Sequence, residues 1–199
     1  MWVKPKYTYE DVVRLYLSCS KYIKVPFRFV CLTDHNWNRE PIETIQVGEY
    51  ELDTWWNKLL IFDPQFSKNN TSLYFDLDTK ITTDITYMID ELDDDHLFVV
   101  DTPWKDQEYF NQTSSRVNTK AFLEYGNTSV MGWKNKSHGY LLGILMSDIF
   151  KHTAEHYGDD TFINRSGNIK YFKSVSIDYS NADILINHTT KNIETVLIY

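Results

Sequence analysis

The chain has 199 residues, a formal net charge of −8 and 42% hydrophobic residues. This length is typical of one domain, here residues 1–199, and the hydrophobic content argues against a disordered chain. The negative charge argues against binding to nucleic acid or acidic membranes, and no apolar run reaches the roughly 20 residues that span a bilayer. With two cysteines and no signal-peptide core, we expect reduced thiols in a cytoplasmic protein without a transmembrane segment.

The first part of the chain is predicted to begin with a helix. Thr8 is placed to cap a helix over residues 9–22, in which Val12, Leu15, Tyr16 and Cys19 form an apolar stripe at helical spacing. Short apolar runs and turn residues then predict strands at 27–32, 42–47 and 72–77, and a helix at 55–62.

The second part of the chain continues the alternation of strands and helices. We predict helices at 84–92 and 140–157, strands at 97–100, 129–133 and 183–188, and a long polar loop at 101–118, typical of a lid or a binding segment. Strands that alternate with helices predict an α/β/α sandwich around a mixed, mostly parallel sheet.

Two carboxylates mark the end of the predicted central strand. Asp76 and Asp78 follow an apolar run and lie two residues apart, so strand alternation would direct them to the same side. Two such carboxylates repel each other unless a cation or protons lie between them. Hard oxygen ligands suit Mg²⁺ or Mn²⁺, which often bind through one or two carboxylates and substrate phosphates. The alternative is an exposed strand end with two solvated acids.

Five segments in order resemble one enzyme family. They are FRFVCLTD at 27–34, WWNKL at 55–59, YFDLD at 74–78, NTSVM at 127–131 and GDDTFI at 158–163. The chain resembles the nucleotide-sugar glycosyltransferases of the GT-A fold, especially short bacterial and viral ones. The resemblance implies a Rossmann-like sandwich and transfer of a sugar from a nucleotide diphosphate donor, with a UDP-sugar as the first choice, to an unidentified acceptor.

The resemblance also implies roles for residues in the first half of the chain. Asp76 would contact the ribose or the metal, and Asp78 would hold the Mn²⁺ or Mg²⁺ ion. Asp34 would approach the nucleobase. Tyr7 would stack on that base or else pack in the core, and Lys58 would extend toward the donor or else be a solvated helix lysine.

Further roles are implied in the second half. Asn127 and Asp159 would bind the transferred sugar, with Asp159 near the reacting carbon and Asp160 beside it in the catalytic segment. His188 would be a third metal ligand, with Lys191 contacting the donor, or else a polar strand terminus. The chain departs from the family pattern because Asp160 replaces a common Gln and because the Gly and Pro that usually follow the histidine are missing. The expected first strand before Tyr7 is also short.

A haloacid-dehalogenase-type phosphatase is one alternative. Its first motif is also a strand ending in Asp-x-Asp, in which the first Asp is a nucleophile beside Mg²⁺. That motif requires Thr or Val where this chain has Lys80, and it normally lies on the first strand. The segment with Asp159 and Asp160 matches its later acidic motif.

A zinc hydrolase is a second alternative. His152, Glu155 and His156 match the inverted zincin pattern His-x-x-Glu-His. Histidines at a helix C-terminus are also favoured by the negative end of the helix dipole, which explains the same residues without a metal.

The sequence leaves further choices open. A noncatalytic nucleotide-sugar-binding relative would keep the same fold. Inversion of the anomeric carbon would need a general base, for which Asp101, Asp159 and Asp160 are all candidates. The donor sugar, the acceptor, the stereochemistry and the oligomeric state are not determined by the sequence.

Overall fold

The computed structural model describes residues 7–35, 37, 39–47, 52, 54–66, 71–102, 126–135, 138–156, 158–178, 181–186 and 195–198. His188, Lys191 and most of the predicted loop at 101–118 lie outside these ranges. Within them, the helices are α1 (Tyr9–Tyr22), a 3-10 helix (Thr54–Phe62), α2 (Met88–Glu91), α3 (Gly139–Ser147), α4 (Ile149–Glu155) and α5 (Asp159–Ser166).

The described strands alternate with these helices along much of the chain. They are β1 (Phe29–Thr33), β2 (Glu43–Gln46), β3 (Ser72–Asp76), β4 (Thr79–Ile81), β5 (Leu97–Asp101), β6 (Gly126–Trp133), β7 (Ile169–Tyr171), β8 (Ile177–Asp178), β9 (Ile184–Ile186) and β10 (Thr195–Ile198).

The main sheet of the described residues has seven strands in the order β2-β1-β10-β3-β6-β5-β7. The pairs β1–β2 and β5–β7 are parallel, and the other four neighbouring pairs are antiparallel. Five strands therefore run in one direction, and β6 and β10 run against them. The protein is a mixed α/β structure, as predicted, but the expectation of a mostly parallel sheet is wrong, because most neighbouring pairs of the main sheet are antiparallel.

A second, smaller sheet lies beside the end of β3. Its order is β4-β9-β8, with β4 and β9 antiparallel. Ile186, the last residue of β9, pairs with Thr79, which directly follows Asp78. The small sheet therefore brings a late segment of the chain to the central acidic pair.

Hydrophobic clusters lie on both faces of the main sheet. Side chains alternate along β3, so Leu73 and Phe75 pack in one cluster with α1, and Tyr74 packs in the other with the 3-10 helix. That second cluster also includes residues of α3 and α5. Helices therefore cover the sheet on both sides, which is the layered arrangement of α/β proteins.

The first helix begins as the sequence predicts. Thr8 and Asp11 form a capping box, in which the Asp11 carboxylate accepts a hydrogen bond from the Thr8 backbone N–H at 2.8 Å. The predicted apolar stripe faces the core, because Val12, Leu15 and Cys19 are buried. Neither Cys19 nor Cys31 forms a disulfide, in agreement with the expectation of reduced thiols.

One predicted helix is two helices. The single helix expected at 140–157 is wrong, because the chain breaks at Asp148, which has φ −161° and ψ 84°. The Asp148 side chain accepts a hydrogen bond from the Lys151 backbone N–H at 3.0 Å and so caps the second helix. The helix predicted at 84–92 is also shorter, since α2 begins only at Met88.

No helix in the described ranges combines the length and the apolar character needed to cross a membrane.

Candidate functional site

The sheet brings acidic residues from separate strands to one edge. Leu32 and Asp76 both pair with Thr195 of β10, so β1 and β3 end at the same edge. Asp34 follows β1 there, with its side chain exposed, about 10 Å from β3 by the usual strand spacing. Asp101 ends β5 at this edge, where it pairs with Gly126 at the start of β6.

Lys58 is buried at the centre of this edge. It lies in the 3-10 helix among Leu59, Leu60 and other apolar residues, and only 2% of it is exposed. Its ammonium nitrogen lies 2.5 Å from Oδ2 of Asp159 and 3.3 Å from Oδ2 of Asp76. Lys58 is therefore not the solvated helix lysine that the sequence allowed. It joins two of the predicted site residues.

Thr128 completes the contacts of the buried ammonium. Lys58 donates hydrogen bonds to the Thr128 hydroxyl at 3.1 Å and to its carbonyl oxygen at 3.4 Å. The hydroxyl lies 2.8 Å from Oδ2 of Asp159, and the Thr128 backbone N–H donates to Oδ1 of Asp160 at 2.8 Å. Thr128 thus links β6 to both carboxylates of the helix α5.

The first turn of α5 supplies those two carboxylates. The positive end of a helix dipole favours acidic residues in this position. Asn164, one turn later, donates hydrogen bonds to the carbonyl oxygens of Gly126 and Asp160, at 3.0 and 2.7 Å. These bonds fasten the start of α5 to the start of β6. Asp159 is buried, whereas Asp160 is partly exposed.

Asp76 is held on both of its carboxylate oxygens. Oδ1 accepts a hydrogen bond from the Tyr74 hydroxyl, and Oδ2 lies beside the Lys58 ammonium. Tyr74 and Asp76 lie on the same face because they are two residues apart in β3. The Thr79 hydroxyl donates to the Asp76 carbonyl oxygen at 2.7 Å.

Asp78 occupies a different position from the one that strand alternation predicts. β3 ends at Asp76, and Asp78 lies in the turn that leads to β4, so the alternation of side chains does not extend to it. The expectation of two acids on one strand is therefore wrong. Asp78 is still close enough for its charge to act on Asp76, and it is the more exposed of the two.

Asp76 and Asp159 hold protons more tightly than ordinary aspartates. Burial raises the pKa of Asp76, the Lys58 ammonium opposes this effect, and the neighbouring charge of Asp78 adds to it. The pKa of Asp159 is also raised by burial, against the effect of Lys58 and with that of Asp160. Burial alone would lower the pKa of Lys58, but the charges of Asp159, Asp76 and Asp160 outweigh burial and raise it.

The donor set fits a hard divalent cation. The charges of Asp76, Asp159 and Asp160 act on the single ammonium of Lys58, and that of Asp78 acts on Asp76, so the ionised site carries an excess of negative charge. A proton or a cation would relieve that excess. Carboxylate oxygens are the ligands that Mg²⁺ and Mn²⁺ prefer. Asp78 is the best placed to reach such an ion because its side chain is partly exposed.

Two other predicted residues lie apart from the Lys58 cluster. Tyr7 is buried in the core cluster on the α1 face. It therefore packs in the core, which was the alternative to stacking on the nucleobase. Asn127 lies at the start of β6, next to Thr128, and its Oδ1 accepts a hydrogen bond from the Ser129 backbone N–H at 2.8 Å. His188 and Lys191 are outside the described residues.

Sequence reasoning missed Thr128 and Tyr74 as members of the site. Thr128 lies inside the segment 127–131, of which only Asn127 was selected. Tyr74 is two residues before Asp76, so the alternation of β3 places its hydroxyl on the side of the carboxylate. Both residues carry hydroxyl groups close in sequence to predicted site residues, and this proximity could have identified them.

Comparisons with protein-family models, with curated proteins and with solved structures find no match to this chain.

Proposed function

We propose that the protein is a metal-dependent glycosyltransferase of the GT-A type that transfers a sugar from a nucleotide diphosphate donor, with UDP-sugars as the first candidates. The observation that carries the proposal is the surplus of carboxylates around Lys58 at one edge of the sheet, with Asp78 in an accessible turn. In open α/β sheets, ligands bind beyond the carboxyl ends of strands. β1, β3 and β5 all end at this edge, so a donor bound there would meet Asp34, Asp78 and Asp101.

The proposed Mn²⁺ or Mg²⁺ ion would be held mainly by Asp78. Asp76 is nearly buried and its two oxygens already have partners, although each carboxylate oxygen can accept a further contact. When bound, the cation would offset the charge of the donor diphosphate and of the departing nucleoside diphosphate.

His188 stays in this proposal because of its position in the chain, shortly after β9. It lies two residues beyond Ile186, which pairs with Thr79 next to Asp78. Two residues span at most about 7 Å. We therefore keep His188 as the proposed third ligand and Lys191 as a proposed contact to the donor.

The residues of the buried cluster would position the site. Lys58 holds Asp76 on β3 and Asp159 on α5, and Thr128 joins both to β6. Asp159 is buried and its carboxylate is in contact with Lys58 and Thr128, so it would orient the site rather than contact the acceptor. Asp160 and Asp101 are more exposed and remain the candidates for contact with the sugar or the acceptor.

The position of Asp76 disfavours the phosphatase alternative. That chemistry needs the first Asp of the motif as a nucleophile with an accessible oxygen. Asp76 is 3% exposed and contacts Lys58 and Tyr74. Two strands, β1 and β2, also precede β3, whereas the phosphatase motif normally lies on the first strand.

A donor screen tests the proposed activity. The protein is incubated with a panel of nucleotide sugars and Mn²⁺, and release of the nucleoside diphosphate is measured. We expect slow, metal-dependent hydrolysis of at least one donor, its loss in Asp78→Asn, and its retention in Asp90→Asn, which changes an exposed acid on α2. Release from no donor would contradict the proposal, and metal-dependent hydrolysis of p-nitrophenyl phosphate would favour the phosphatase.

A further inference from the structure

A second group of metal-ligating side chains lies at the end of α4. His152, Glu155 and His156 are spaced at i, i+3 and i+4, which places them on one side of the helix end. One ligand atom from each of the three lies within 4.8 Å of the other two. These residues take no part in the site around Lys58, and their geometry does not depend on the proposed function.

A buried aromatic ring holds both histidines in place. The ring of Phe162, on α5, is fully buried and contacts the imidazoles of His152 and His156 edge to face, at centroid distances of 5.6 and 5.3 Å. The two imidazole rings are 6.2 Å apart and tilted by 30°. Nδ1 of His152 is buried and has no hydrogen-bond partner among the described residues.

The helix dipole explains why histidines lie at the end of α4, but it does not explain the acidic side chain beside them. The negative end of the dipole favours the histidines in the last turn of α4, but it disfavours an acidic side chain there. Glu155 is the last residue of α4 and its carboxylate lies beside both histidines. A cation bound by all three groups would explain the acid as well as the histidines.

We propose that His152, Glu155 and His156 form a transition-metal site that takes Zn²⁺ or a similar ion. Imidazole nitrogens and a carboxylate oxygen are ordinary zinc ligands at about 2.0–2.2 Å, and three protein ligands leave a fourth position for water. Tetrahedral ligands at these lengths lie roughly 3.4 Å apart. The ligand atoms would have to approach each other from 4.8 Å, mainly by rotation of the exposed Glu155 side chain and by small adjustments of the two histidines.

The proposed metal site lies just before α5 in the chain, so a bound metal would also affect the start of that helix. His156 is the C-cap of α4, and Gly158 is the N-cap of α5, which begins at Asp159. Asp159 is the partner of Lys58. A metal at the end of α4 therefore fixes the connection that leads directly into the buried ion-pair cluster.

Zinc titration by calorimetry on the whole chain tests this site. We expect one equivalent of Zn²⁺ to bind to the wild type. In His152→Gln, His156→Gln and Glu155→Gln we expect the affinity to fall by at least roughly 10–100-fold, the loss that is typical when a residue supporting a zinc ligand is mutated. His96→Gln is the matched control, because His96 also has an acidic neighbour, Asp93 at 2.8 Å, and we expect it to bind like the wild type.

Glu155→Gln keeps the test valid if a histidine variant fails to fold, because Glu155 is exposed. Cobalt gives a second readout, since Co²⁺ in a tetrahedral nitrogen and oxygen site absorbs visible light, and we expect this band to disappear in Glu155→Gln. Absence of zinc binding to the wild type, or equal affinity in Glu155→Gln and the wild type, would overturn the proposal.

Discussion

The ammonium of Lys58 lies 2.5 Å from Oδ2 of Asp159, and both groups are nearly inaccessible to solvent. This contact joins the 3-10 helix to the start of α5. Asp76, at the end of β3, shares the same ammonium at 3.3 Å. One buried cation therefore connects three elements that are distant in sequence.

Removal of this cation should destabilise the fold. Lys58→Met keeps most of the side-chain volume but leaves Asp76 and Asp159 without their buried partner. Breaking a buried ion pair on one side costs about 3–5 kcal/mol, so we expect a loss of that size in the free energy of unfolding measured with urea. Lys80→Met, at an exposed position of β4, is the control and should change stability little. A Lys58→Met protein as stable as the control would refute the role of the ammonium.

The Thr128 hydroxyl should stabilise the same cluster. Thr128→Val has a similar shape but cannot bond Lys58 or Asp159, which leaves buried polar groups with fewer partners. We expect a loss of about 1–3 kcal/mol in the free energy of unfolding. Thr128→Ser keeps the hydroxyl and should lose less. A larger loss in Thr128→Ser than in Thr128→Val would mean that the methyl group, and not the hydroxyl, matters.

The stability that Asp76 contributes should depend on pH. Its folded-state pKa is raised above the ordinary aspartate value by burial and by the charge of Asp78, with Lys58 opposing. The contribution of the carboxyl is therefore fully present below about pH 3.9 and is lost as the pH rises through the raised folded pKa.

The measurement compares the free energy of unfolding of the wild type with that of Asp76→Asn in chelator-treated buffer. We expect the wild-type value, relative to the variant, to decrease from pH 4 toward pH 7. If the wild-type free energy of unfolding instead increased with pH relative to Asp76→Asn, the Lys58 ammonium would outweigh burial and the pKa of Asp76 would be lowered.

Asp148, which caps α4 at its break from α3, should stabilise the fold by the amount typical of a helix N-cap. Asp148→Ala removes the acceptor for the Lys151 backbone N–H, and we expect a loss of about 1 kcal/mol in the free energy of unfolding. Ser147→Ala changes the preceding exposed residue and serves as the control. Equal stability of the two variants would contradict the assigned cap.

Local signals predicted much of the fold. α1 was predicted with its observed bounds because Thr8, the acidic first turn and the apolar stripe all act within a few residues of each other. The break at Asp148 was missed because apolar residues continue at helical spacing on both sides of it. β4, β7, β8 and β10 were not predicted, since short strands of two to four residues depend on distant partners more than on local pattern.

The site was predicted in composition rather than in arrangement. The acids Asp76, Asp78, Asp159 and Asp160 were all selected from sequence. The choice between a solvated and a buried Lys58 depends on whether two acids meet it from β3 and α5, and no local pattern contains that contact. Thr128 was missed for the same reason, because its hydroxyl gains its partners only when β6 and α5 pack together.

The proposed function depends on a divalent cation held by Asp78, to which a nucleotide diphosphate binds. Calorimetric titration with UDP, with and without Mn²⁺, tests it in the wild type, in Asp78→Asn and in the Asp90→Asn control. We predict UDP binding that requires Mn²⁺ in the wild type and the control and that is lost in Asp78→Asn. Binding of UDP without metal, or unchanged Mn²⁺-dependent binding in Asp78→Asn, would contradict the claim.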